Sequence, residues 1–245
     1  MINRNGYLGA VPTQSKSVGN KGILSINSHN ILKRRDELKS VTLPPLPSGM
    51  SWRWYHDANQ NPSYAGTGTS WTDISGAGRV GYLANVNWTS GSPSYFNLSD
   101  SFYYTLDYNS LRSDLSVFWV MQTTDTQSLM VTSSSGNDYL GAYRSGNKYY
   151  HNSVGGNRTP YINNSSVSNL YDSIRGSTSR LVTITDCDFN FTNSQYRFNT
   201  YDGYKFGNGK LYAAGAIHGN LSSSQVTDLY NHFNDMGYIG IWVGF

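Results

Sequence analysis

Cysteine is nearly absent: the 245 residues hold one, Cys187. A disulfide framework is therefore excluded, and so is a zinc site built from cysteines. Cys187 itself reads as a small, half-buried strand residue. Charge is scarce as well, at 13% Asp, Glu, Lys and Arg. Disordered chains combine high net charge with few aromatics, whereas aromatic residues here reach 14% and include 20 tyrosines. Glutamate occurs once, at Glu37. No apolar run is long: YIGIWVGF at 238–245 falls far short of the ~20 residues that a bilayer span needs. Membrane insertion is not expected. No apolar region follows the first residues, so a secretory leader is not expected, and synthesis in a cytoplasm is.

What is present is Ser, Thr, Asn, Gly and Tyr, the residues of short strands joined by turns. The net charge of +3 is unevenly spread. Residues 1–41 carry seven basic groups against two acidic ones, +5, and the remainder carries 11 against 13, −2. The first segment, 1–42, has no Trp and one Tyr, and Gly, Ser and Asn interrupt its apolar clusters. Such a segment does not fold alone. It reads as an extended arm, and forty-odd residues at full extension reach on the order of 140 Å. LPPLPSG follows at 43–49, where proline forbids helix and central strand, so 43–50 reads as a stiff spacer. The body is then 51–245.

The body signals β structure throughout. DLSVFWVMQTT (114–124) is a buried strand, and SLMVTS, YLGAYRSG, NKYYHN, RLVTITD, YRFNTYDGYKF and GKLYAAGAIHG are further strands. Many short strands at this spacing indicate a sandwich or barrel. One helix is predicted in LSSSQVTDLYNHFNDMG. Ser222 and Gln225 have capping-box spacing. Val226, Leu229, Tyr230 and Phe233 form one apolar stripe, and Gly237 ends the helix.

WYHDANQNPSYAGTGTSWTDISGAGRVGYL, at 54–83, resembles the start of laminin-G-like, concanavalin A-like jelly-roll domains. Asp57, Ala58, Ser63, Tyr64, Gly66, Gly68, Trp71, Asp73, Ser75, Gly76 and Gly78 match that pattern, with Ile74 for the usual Leu. Leu221, Ser222, Leu229 and Tyr230 match the family's closing signature, with Gln225 for the usual Glu. The resemblance spans about residues 52–237 and implies an all-β jelly-roll sandwich with one C-terminal amphipathic helix. That subfamily is common in phage and bacterial surface proteins. The arm, with Gly6, Tyr7, Gly9, Pro12 and GILSINSHN, resembles segments of marine tailed-phage structural proteins that attach modules to virions. It implies a virion-surface component, made in the host cytoplasm, docked by the arm on other virion proteins and assembled with copies of itself. Tyr7, Leu8, Val11, Ile23, Leu24 and Ile26 are the available docking anchors. The location in head decoration, tail or fibre stays open.

Three chemistries come into question. Related folds that hydrolyse glycans use two glutamates on one strand, and this chain cannot supply them. Asp186 and Asp188 are the substitutes, since i and i+2 share a strand face and retaining hydrolysis needs two carboxyls about 5–5.5 Å apart. On the missing glutamates the chain is expected not to be an enzyme, and to need no cofactor. Calcium is the one candidate ion, held by Asp57 and Asp73 with Asn59 and Asn61, though both aspartates equally suit amide bonds in Gly-rich turns. The five histidines have no ligand spacing, and His232 beside the helix stripe reads as a half-exposed packing residue. Tyr149, Tyr150, Tyr196, Tyr201 and Tyr204 lie among Asn and Ser, a mixture that suits stacking on sugars. Of these, Tyr149, Tyr150, Tyr201 and Tyr204 are the candidate contacts for a host surface glycan. A host glycan-binding adhesin is the alternative function, and a glycan hydrolase ranks third. The basic run KRRDE lacks aromatic platforms and carries its own acids, so nucleic acid is not an expected partner.

Overall fold

The structure is a computed structural model. It describes residues 41–99, 103–106, 114–124, 128–132, 139–142, 154–155, 158–189, 196–198 and 208–241. The chain divides at Thr42/Leu43 into two compact units, and every described strand and helix belongs to the second.

Two antiparallel sheets form this second unit. The larger has nine described strands. Its centre is β7 (Leu115–Thr123), flanked by β13 (Arg180–Phe189) and β15 (Gly209–His218). The outer edge of β15 is shared: residues 209–211 pair with β5 (Tyr95–Leu98), and residues 213–218 pair with β1 (Ser51–Asp57). β13 is shared in the same way, by β11 (Thr159–Ile162) and β10 (Val154–Gly155). β4 (Trp88–Thr89) and β12 (Ser165–Ser166) close the two ends. The smaller sheet runs β2 (Ser70–Thr72), β3 (Val80–Ala84), β6 (Tyr103–Leu106), β14 (Tyr196–Phe198), β8 (Ser128–Thr132), β9 (Tyr139–Ala142). A short helix, α1 (Leu170–Ser173), precedes β13.

β7 is buried along its whole length. The reason is that its sheet has a core on each face. Val117, Trp119 and Met121 join Trp54, Trp71, Phe96, Tyr104 and Phe198 between the sheets. Phe118 and Val120 join Tyr55, Tyr212, Leu229 and Phe233 on the opposite face, beneath the second helix. A strand with two buried faces loses the apolar–polar alternation of a half-exposed one, hence the unbroken run in its sequence. β15 meets the same crowding with small residues. A Cβ on Gly215 would meet the Phe118 ring and lie 3.2 Å from the Trp54 carbonyl oxygen. The close approach at this position is made by the protein's own side chains and backbone.

The helix, α2 (Ser223–Asp235), forms as its sequence dictates. Ser222 Oγ accepts from the Gln225 amide and Gln225 Oε1 accepts from the Ser222 amide, a complete capping box. Val226, Leu229 and Phe233 are buried, and Tyr230 is half-buried. Gly237, with φ +74°, lets the chain turn back so that the Tyr238 amide reaches the Phe233 carbonyl at 2.9 Å. Residues 43–50, read from the sequence as a spacer, lie against this helix-side core through Leu43, Leu46 and Met50. Cys187 is fully buried, deeper than expected. No helix among the described residues is long and apolar enough to cross a membrane.

Candidate functional site

Asp57 ends β1 and is fully buried. Four donors converge on it: Tyr55 Oη at 2.8 Å, Tyr238 Oη at 2.7 and 2.8 Å to its two oxygens, Gln60 Nε2 at 2.8 Å and the Asn59 amide at 2.8 Å. Burial pushes its carboxyl up from the ordinary value, and the bonds from Tyr238, Gln60, Asn59 and Tyr55 pull the other way. Burial likewise raises both tyrosine hydroxyls, and the neighbouring Asp57 adds to it. The cluster fastens the chain after α2 to the first strand, across 181 residues of sequence. Asp73 performs a similar task in the Gly-rich turn. Its Oδ1 accepts from the Tyr55 and Ser75 amides, both at 2.9 Å, and from Ser75 Oγ at 2.6 Å, while Oδ2 accepts from the Arg79 amide at 3.3 Å. Burial acts to raise its carboxyl, but these bonds outweigh it and hold the carboxyl below the ordinary value. The two aspartates proposed for calcium thus spend their oxygens on amides and hydroxyls. Among the described residues no group of His, Cys, Asp and Glu is arranged to hold a metal.

His56 lies between the sheets, stacked on Trp54 and Trp71 at centroid distances of 5.3 and 5.2 Å. Its Nε2 faces the Arg79 carbonyl at 3.0 Å, so Nε2 carries the proton and donates it. Nδ1 is buried without a hydrogen-bond partner. Burial lowers its pKa to about 4, against opposing contributions from the Arg79 carbonyl and Asp73.

The outer face of the smaller sheet exposes Ser70 and Tyr82. Ser70 stands opposite Tyr82, Tyr82 opposite Thr105, Thr105 opposite Arg197, Arg197 opposite Thr132, and Thr132 opposite Tyr139. Directly opposed residues share a face. One row therefore crosses six strands, about 24 Å at ~4.8 Å per strand spacing. The neighbouring positions Trp71, Leu83, Tyr104 and Phe198 are buried and define the inner face. Tyr82 is 48% exposed, more than any other large apolar residue among those described. The sequence pattern could not single it out, because the row joins residues from six separate segments. A concavity of ≈ 520 Å³ lies between Pro45–Pro47 and α2, with Ile217, Leu221 and Leu229 beside Asp228, His232 and Asp235.

The anchors Tyr7, Leu8, Val11, Ile23, Leu24 and Ile26 lie outside the described residues, as do Tyr149, Tyr150, Tyr201 and Tyr204. Position 196 pairs with buried Leu106, on the inner face. Asp186 and Asp188 do not follow a regular strand alternation. The register of β13 on β7 slips between Ile184 and Cys187, and Asp186 sits in that bulge with φ +56°. Its Oδ1 accepts from Asn220 Nδ2 at 2.8 Å. His232 is half-buried, and burial lowers its pKa.

No family model matches the chain, and no curated protein does. Solved structures do. Domain 4 of a GH43 extracellular arabinanase from Geobacillus stearothermophilus, in complex with arabinotriose, aligns at 12% identity and a TM-score of 0.45, over 74% of this chain and 98% of that one. The binding domain of botulinum neurotoxin serotype D aligns at 13% identity and a TM-score of 0.46, over 74% of this chain and 51% of that one. A Trypanosoma rangeli sialidase aligns at 11% identity and a TM-score of 0.42, over 87% of this chain and 39% of that one. At such identities the likeness is one of fold, an all-β sandwich. The expectation that the chain is not an enzyme is corrected here: an arabinanase domain and sialidases stand among the matched structures, as distant matches.

Proposed function

We propose that the chain is a structural component of a tailed-phage virion, docked through its N-terminal arm and displaying a lectin-like sandwich at the particle surface. The observation that carries this reading is the division of the chain at Thr42/Leu43. Residues 43–241 contain both cores, so the sandwich supplies its own stability from one side of that boundary. The other side carries a +5 charge and few large apolar residues, and it resembles phage attachment segments. An arm of that kind gains order by adding backbone bonds and small apolar anchors to another protein. Its charge favours an acidic partner surface and speeds encounter. Ordering costs about 1–2 kcal/mol per residue, so several copies acting together would hold better than one.

The test is incorporation. Infected cells would supply either the full chain or a chain starting at Val41, and purified particles would be analysed for each by quantitative mass spectrometry. The full chain is expected in the particles, and the truncated one only in the soluble fraction, folded. Equal incorporation of both would overturn the docking role. The adhesin reading is favoured by a separate observation, the exposed ring of Tyr82 on a row of hydroxyl-bearing residues.

A further inference from the structure

We infer that the groove between Pro45–Pro47 and α2 binds a linear aliphatic polyamine, a chain of methylenes that carries ammonium groups. The inference goes beyond the virion reading and does not depend on the arm. Three observations carry it. The groove has a volume of ≈ 520 Å³, inside the roughly 300–1,000 Å³ of small-molecule sites. The described residues that line it include Asp228 and Asp235 and no lysine or arginine. Ile217, Leu221 and Leu229 supply an apolar part of the lining, and Leu46 lies on the opposite wall. His232 lies between the two aspartates on the same face of α2. Burial lowers its pKa, against opposing contributions from Asp57 and Asp235, so near neutral pH it adds no positive charge to the groove.

The spacing selects the ligand class. Asp228 and Asp235 are seven positions apart, two helical turns, so about 10 Å of helix axis separates them. A single cationic centre meets one of them and leaves the other. A ligand that meets both carries two or more charges joined by a spacer. That spacer runs past leucine side chains, which favours methylenes over polar linkages. A peptide main chain is disfavoured, because its amides and carbonyls need partners. The backbone of α2 bonds within the helix, and Pro45 and Pro47 have no N–H to donate. The net charge of +3 opposes the general attraction of a polycation to this protein, so binding has to arise locally, at the groove.

The full-length protein would be titrated calorimetrically, at one ionic strength, with spermidine, 1,6-diaminohexane, 1,2-diaminoethane, hexylamine and magnesium chloride. Spermidine is expected to bind most tightly and diaminohexane next. Hexylamine has the methylenes with one charge, diaminoethane has two charges without the span, and magnesium has charge alone. Each of these three should bind about fivefold more weakly than spermidine, or worse. Asp228→Asn and Asp235→Asn should each weaken spermidine about three- to fivefold, and the double variant should lose more than either. All three variants should still melt cooperatively, since both side chains are exposed. No binding of spermidine, equal binding of magnesium or diaminoethane, or a folded double variant that binds as the wild type does would overturn the inference. Tighter binding of a tetralysine peptide than of spermidine would also overturn it, by making the groove a peptide site. None of these results depends on particle incorporation, so the two readings fail separately.

Discussion

Acid should loosen this fold through His56. In the folded protein the imidazole is stacked between two indoles, donates from Nε2 to the Arg79 carbonyl, and leaves Nδ1 with no acceptor within reach. Protonation would bury a charge and a second N–H with nothing to receive it. The pKa accordingly falls from 6.5 to about 4. Below pH 6.5 the unfolded chain takes up a proton that the folded chain refuses, so stability falls as the pH drops. The loss ends near pH 4, where the folded protein binds the proton too. At 1.36 kcal/mol per unit, the full effect is about 3 kcal/mol, and about 2 kcal/mol of it is lost between pH 7 and pH 5. Asp57 acts in the opposite sense. Its raised carboxyl holds a proton that the unfolded chain has already released, so its contribution weakens as pH rises. Urea denaturation of the wild type and of His56→Gln at matched pH separates the two, because Asp57 remains in both. Glutamine keeps a donor for the Arg79 carbonyl and does not titrate. The variant should be less stable at pH 7, where it lacks the ring stacking. The difference should then shrink by about 2 kcal/mol at pH 5. A difference that stays constant across this range would refute the reasoning.

Two further substitutions probe the helix side of the larger sheet. Tyr238→Phe removes the donor shared by both Asp57 oxygens and should cost about 2 kcal/mol in urea denaturation. Its effect should be smaller at low pH, where the carboxyl is protonated and needs fewer donors. Gly215→Ala inserts a methyl group against the Phe118 ring and the Trp54 carbonyl and should cost about 1–3 kcal/mol by overpacking. A neutral result there would mean that Phe118 can turn aside without loss.

Several features were legible because they depend on residues close together in the chain. The capping box at Ser222 and Gln225, the stripe of Val226, Leu229 and Phe233, and the turn at Gly237 follow from a 3.6-residue period and two end signals. The β7 run announced a buried strand. Asp73 sits in a Gly-rich turn and accepts amides there, one of the two roles open to it from sequence. Other features depended on chain segments meeting. The two-residue spacing of Asp186 and Asp188 suggested a shared face, but a bulge set by the pairing of β13 with β7 breaks the alternation at Asp186. Asp57 read as a calcium ligand or as an amide acceptor in a Gly-rich turn; it became a buried hub because Tyr238 returns to it from beyond α2. Tyr82 and Arg197 are ordinary residues in their own segments and become members of one row only through β6, which pairs with both of their strands. By itself the sequence determined the kinds of element and the all-β class, because helix and strand periods are local. Which aspartate is buried, where the strand slips and which polar residues share a face were decided by the tertiary structure, because register is fixed by hydrogen bonds between segments that the sequence keeps far apart.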